Sequence, residues 1–111
     1  MVRRLPRWVL AQSLKATYDD AMEFEWDPDK ADRNSHKHGV SFHEAASVFN
    51  DPLAMTYSDL DHSEDEERFI TFGYSADGRL LVVSHTDRDD RTRIISARQA
   101  TRKERNSHEN G

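Results

Sequence analysis

From residue 22 onward the apolar positions change period more than once, and those changes divide the chain into elements. Glu23-Phe24-Glu25-Trp26 alternates polar and apolar, the two-residue period of a half-buried strand. Asp27-Pro28 then supplies an N-cap and a proline at the first helical position, where its missing N–H is not needed. The spacing predicts a first helix to about His38, closed by Gly39 as its C′ residue. Ser41-Phe42-His43-Glu44 has the form of a capping box and opens a second helix over about Phe42–Phe49. Phe42, Ala45, Ala46, Val48 and Phe49 form its apolar face, and Asn50-Asp51-Pro52 ends it.

Beyond Pro52 the period becomes alternating. A short strand is expected over Leu53–Tyr57, then an acidic loop, then a strand over Arg68–Tyr74. Asp77-Gly78 is the signal of a tight hairpin. The next strand, Arg79–Thr86, carries Leu80-Leu81-Val82-Val83 and should be buried on both faces. Asp87–Asp90 makes a turn, Thr92–Arg98 a last strand, and Thr101-Arg102-Lys103-Glu104 a second capping box before a short final helix. The order is strand, two helices, a four-stranded antiparallel meander and a C-terminal helix. Hairpin-length turns imply an α+β fold of two layers, with helices packed on one face of an antiparallel sheet.

Residues 1–21 read differently. Arg3, Arg4, Arg7 and Lys15 are interspersed with Leu5, Trp8, Val9 and Leu14 in a weakly amphipathic pattern. This is an N-terminal extension, either a peripheral helix or a stretch upstream of a true start at Met22. The folded domain is expected over 22–111.

Composition narrows the class. The chain of 111 residues fits one domain, and 35% hydrophobic residues suffice for one modest core. No cysteine is present, which excludes disulfides and thiolate metal sites and is compatible with a cytoplasmic address. No apolar run reaches the roughly 18–20 residues of a membrane span, and the basic start lacks the apolar core of a signal peptide. The formal charge of −5 argues at first against a nucleic-acid partner. Its distribution argues otherwise. Asp59, Asp61, Glu64, Asp65, Glu66 and Glu67 cluster without a Lys or Arg, whereas between Arg91 and Arg105 the bases Arg91, Arg93, Arg98, Arg102, Lys103 and Arg105 stand against Glu104 alone. The basic stretch is the part suited to nucleic acid; a solvated charged face is the plainer alternative.

The motifs resemble those of a known family. Phe24-Glu25-Trp26-Asp27-Pro28-Asp29-Lys30-Ala31 and Lys37-His38-Gly39-Val40-Ser41-Phe42-His43-Glu44-Ala45 are similar to the opening of BrnT-type toxins. Glu67–Gly73, Leu81–Thr86 and Arg93–Arg98 match that family in order and spacing, so that the resemblance covers about Met22 to His108. It implies a RelE-like fold of the RelE/ParE superfamily and a ribonuclease toxin of a type II toxin–antitoxin pair, working without a cofactor. It also implies a BrnA-type antitoxin that neutralises the toxin, RNA as substrate, and contact with operator DNA only through the antitoxin. Two features depart from the pattern: residues 1–21 have no counterpart, and residues 22–111 hold 12 Lys/Arg against 19 Asp/Glu, a charge of −7.

Metal-free RNA cleavage needs a base for the 2′-hydroxyl proton, a cation for the crowded phosphorane and an acid for the leaving 5′-oxygen. Arginine suits the second role and histidine the proton transfers. Strand alternation puts Arg79, Leu81, Val83 and His85 on one face, and hairpin pairing about Asp89 would bring His85 beside Arg93. His85 and Arg93 are therefore the expected catalytic pair, with Arg68 and Arg98 as further phosphate contacts; a salt-bridged sheet residue is the alternative for each arginine. Lys37 and His38 end the first helix, where a cation complements the helix dipole; with Arg79 they form a secondary set. Arg91, Arg102, Lys103 and Arg105 are expected to face RNA or antitoxin. His36 and His38, two apart on a helix, point to different faces, and Asp59, Asp61 and Glu64 lack the glycine of a calcium loop, so no metal site is expected. Trp26, Phe42, Val48 and Phe49 are read as core.

Three functions remain open at this point: an endoribonuclease toxin, a catalytically inactive module of the same fold that binds antitoxin or RNA, and a toxin acting on a protein target such as gyrase. A titrating group between arginines favours the first.

Overall fold

The computed structural model describes residues 22–110; the N-terminal extension lies outside them. Strand β1 (Glu23–Glu25) leads into helix α1 (Pro28–His38). The Asp27 carboxylate accepts the Asp29 N–H at 2.9 Å, and Gly39 closes the helix with φ 67°, its N–H donating to the Ser35 carbonyl. Helix α2 (Phe42–Ser47) starts where Ser41 Oγ accepts the Glu44 N–H at 3.0 Å. The Glu44 carboxylate is bonded to Arg79 and Ser75, tying the helix start to the tip of a hairpin. The last turn, Val48–Asn50, tightens to a 3₁₀ helix.

Strands β2 (Met55–Ser58), β3 (Arg68–Tyr74), β4 (Leu80–Arg88) and β5 (Arg91–Gln99) form the expected antiparallel meander, and helix α3 (Arg102–Asn110) follows. The sheet order is β1-β5-β4-β3-β2. β1 joins β5 in parallel through Phe24 opposite Thr92 and Glu25 opposite Arg93, so the sheet is mixed rather than wholly antiparallel.

Val40, Phe42, Ala45 and Val48 from the helical layer pack on Leu81, Val83, Ile94 and Ala97 of β4 and β5. Phe24, Trp26 and Phe49 close the rim of this core. Residues opposite one another on paired strands share a face, so the row Phe72–Val82–Arg98 must look the other way. Helix α3 lies on that reverse face rather than with α1 and α2. The Tyr74 hydroxyl donates to Glu109, and Arg98 grips Glu104.

Beyond Arg93 the edge of β5 is not covered by β1. The buried side chain of Asn34 completes it: its amide donates to the Ala97 carbonyl at 2.8 Å and to the Val40 carbonyl at 2.9 Å, and its oxygen accepts the Ala97 N–H at 3.1 Å. A side-chain amide thereby stands in for a neighbouring strand and fixes the end of α1 against the sheet.

Candidate functional site

The geometry of the β4–β5 hairpin decides what shares a face. Arg88 pairs with Arg91, leaving Asp89 and Asp90 as a two-residue turn, with Asp89 at φ 55°. His85 is therefore opposite Ile94, and Arg93 is opposite Thr86. The expected pairing was one residue out, and a slip of one residue moves a side chain to the other face of a sheet.

His85 points into the core and is fully buried. Its ring lies 4.9 Å from that of Phe49, edge-on, and 5.8 Å from that of Phe69, stacked. Its Nε2 shares a 2.7 Å hydrogen bond with Thr71 Oγ1, which meets Thr56 Oγ1 at 2.7 Å. Arg93 faces the reverse side and donates to Glu25 at 3.0 Å, a carboxylate that also lies 3.7 Å from Arg91. The His85–Arg93 contact expected from alternation is not formed.

A second irregularity assembles a different site. The register shifts between Ser84 and His85, which leaves Ile95 as an extra residue on β5. Without this bulge Ser96 and Arg98 would enter the core; with it they sit opposite Ser84 and Val82 on the reverse face. There they line a groove of about 340 Å³ together with Arg68, Ile70, Ser84 and His38. His38 reaches this groove from the end of α1, past the edge of β5 that β1 leaves uncovered. Asp59 and His62, from the turn after β2, close its other end.

The cations of the groove differ in their commitments. Arg98 forms a fork with Glu104, at 2.8 and 2.9 Å, and donates to the Gln99 carbonyl at 3.3 Å. This pairing, chiefly the Arg98 hydrogen bonds, holds the Glu104 carboxyl down to about 2 and raises the affinity of the Arg98 guanidinium for its proton. A guanidinium has five N–H donors, so Arg98 retains donors for a phosphate. Arg68 has no carboxylate within salt-bridge distance among the described residues and is the groove's uncommitted cation.

The remaining candidates lie elsewhere. Arg79 clamps Glu44 and donates to the Gly39 carbonyl at 3.0 Å, a structural tie between the β3–β4 hairpin and the helices. Lys37 is exposed and does not line the groove. Arg91 pairs with Glu23 at 3.0 Å at the β1 edge. Arg102, Lys103 and Arg105 are exposed on α3. Sequence reasoning missed Asn34, which is a buried polar residue on a helix, and also His62, whose position three residues after Asp59 was the available signal.

The small mixed sheet thus carries two helices on one face and gathers Arg68, Arg98 and His38 on the other. The crystal structure of the Brucella abortus ribonuclease toxin BrnT matches with a TM-score of 0.57, covering 73% of this chain and 99% of that one. At 20% identity the likeness is one of fold. Among curated proteins none matches this chain. Residues 26–104 fit the model of the family described as ribonuclease toxin, BrnT, of type II toxin–antitoxin system, and the chain belongs to that family. It is thus a type II toxin of a ribonuclease family, with an antitoxin as partner.

Proposed function

We propose that this chain is an endoribonuclease that cleaves RNA by acid–base chemistry without a metal ion, in the groove on the reverse face of the sheet. The observation that carries this reading is the meeting of Arg68, Arg98 and His38 in one exposed groove floored by Val82 and Ser84. Arg68 and Arg98 bind the scissile phosphate and stabilise the negative charge that grows on its oxygens. His38 transfers a proton at one end. The 2′-oxygen attacks the adjacent phosphorus, the bond to the 5′-oxygen breaks, and the products are a 2′,3′-cyclic phosphate and a 5′-hydroxyl. His85 and Arg93 support the site through the core and the β1 edge instead of touching RNA.

Arg102, Lys103 and Arg105 on α3 draw the polyanion towards the groove, since exposed charges act over roughly a Debye length of 8–10 Å. A BrnA-type antitoxin that covers this face would silence the toxin in the bacterial cytoplasm and would carry any operator DNA contact. The reading is tested by inducing the chain alone in bacteria and following growth and total RNA. Growth arrest with RNA loss, both relieved by co-expressed antitoxin, is expected. Arrest with intact RNA and altered supercoiling would point instead to a protein target, and undisturbed growth to an inactive binding module.

A further inference from the structure

The geometry points to His62 as a second catalytic residue of the groove, held in its working tautomer by Asp59 as a positioning residue. This rests on the ribonuclease reading and completes it, because cleavage needs two proton carriers on opposite sides of the phosphate.

His62 Nδ1 lies 3.0 Å from Oδ2 and 3.2 Å from Oδ1 of Asp59. An ionised carboxylate only accepts, so Nδ1 carries the proton and the neutral ring presents the lone pair of Nε2. The His62 ring is 67% exposed, whereas its partner carboxylate is 14% exposed: a fixed base beneath an accessible ring. The turn that carries them is latched to the sheet. The Asp59 N–H donates to the Arg68 carbonyl at 2.8 Å, the Arg68 N–H donates to Ser63 Oγ at 3.0 Å, and the Ser63 hydroxyl donates to the Asp59 carbonyl. The dyad is therefore held in register with the uncommitted cation of the groove.

Its place across the groove fits the reaction. His38 enters at the β5 side of the groove and His62 from the turn beyond β3, on the opposite side of Arg68 and Arg98. Among the described residues Asp59 is the one carboxylate lining this groove, and it is committed to His62. His62 and Arg68 also border a second hollow, with Asp61, Glu64, Asp65, Glu66 and Arg88, of which Glu66 and Arg88 pair at 3.4 Å. In the step proposed, His62 Nε2 takes the 2′-hydroxyl proton as the 2′-oxygen bonds to phosphorus. His38 gives a proton to the departing 5′-oxygen. The Asp59 carboxylate stabilises the imidazolium that forms, and proton exchange with water resets both rings.

The test is steady-state cleavage of a short RNA by the full chain, its H62A and D59N variants and R68A, each checked for an unchanged thermal transition. H62A is expected to lower kcat/KM by roughly 10²–10⁴-fold, to remove one limb of the pH–rate profile, and to be partly restored by free imidazole. D59N should lower kcat by roughly 10-fold or more while KM stays, because an amide no longer selects the tautomer. A folded H62A that cleaves at the full rate overturns the inference. So does a loss that neither alters the pH profile nor responds to imidazole, which would mark a structural role. If R68A is impaired while H62A is not, the ribonuclease reading stands without the dyad; if the unaltered chain cleaves nothing, both fall.

Discussion

Replacing Asn34 by alanine should unfasten α1 from the sheet, and the size of the effect follows from what the side chain satisfies. Its amide meets three backbone groups: the carbonyls of Val40 and Ala97 and the Ala97 N–H. Val40 and Ala97 are almost completely buried. A buried backbone group left without its partner costs about 1–3 kcal/mol. If a water entering the vacated space recovers part of this, the net loss is about 3–5 kcal/mol, a large share of the roughly 5–10 kcal/mol expected for a domain of this size. At roughly 4–8 °C per kcal/mol, the melting temperature should fall by about 15 °C or more. Urea titration read by tryptophan fluorescence and far-ultraviolet circular dichroism gives the free energy directly. The companion variant Asn34→Asp has nearly the same volume but lacks both donors and sets a negative charge against two carbonyl oxygens, so it should be at least as damaging at neutral pH. A loss below about 1 kcal/mol in Asn34→Ala, or an Asn34→Asp variant close to the parent, would refute the claim that hydrogen bonding rather than space-filling is what this side chain contributes.

Other consequences are as specific. His85→Ala removes a fully buried ring packed between Phe49 and Phe69, so stability should drop by about 2–4 kcal/mol while the folded fraction still cleaves RNA; denaturation and activity measured on the same sample separate the two. Gly73→Ala would set a Cβ 2.7 Å from Val48 Cγ1 and 2.9 Å from Ala54 Cβ, and should cost about 1–3 kcal/mol by urea titration. The Glu104 carboxyl is lowered from 4.5 to about 2, chiefly by Arg98, so its contribution is present above pH 4.5 and disappears as pH falls towards 2. Because the pair is partly exposed, that contribution is about 1 kcal/mol, and Glu104→Gln should flatten this part of the stability–pH curve.

Much of the fold is written locally. Asp27-Pro28, Gly39, Ser41 and the Thr101/Glu104 pair cap helices where their types require it, and Thr101 and Glu104 do reach one another reciprocally at 2.9 and 3.1 Å. The strands of the meander follow from alternation and turn residues. What alternation cannot specify is register. Whether the β4–β5 turn holds two residues or three depends on Asp89 accepting a left-handed conformation, and that choice separates His85 from Arg93. The bulge at Ile95 is no more legible, since the adjacent pair Ile94-Ile95 interrupts the alternation without marking which residue is extra; yet it turns Arg98 out of the core and into the groove. The candidates Arg68, Arg98 and His38 were legible as residue types suited to phosphate and proton chemistry. Their meeting place depends on pairing partners far apart in the chain, including the Asn34 amide that stands where a sixth strand would otherwise be needed. The reverse-face position of α3 was hidden for the same reason: its anchors, Tyr74 and Arg98, lie on two different strands.

Whether the groove on the reverse face cleaves RNA is decided by one comparison. Purified chain and its Arg68→Ala variant are incubated with end-labelled RNA in the presence of a chelator, and the initial rates and product ends are determined. Cleavage by the parent with 2′,3′-cyclic phosphate ends is expected, with a loss of roughly 10²-fold or more in the folded variant, whose uncommitted guanidinium is gone. Equal rates for the two proteins would contradict that expectation.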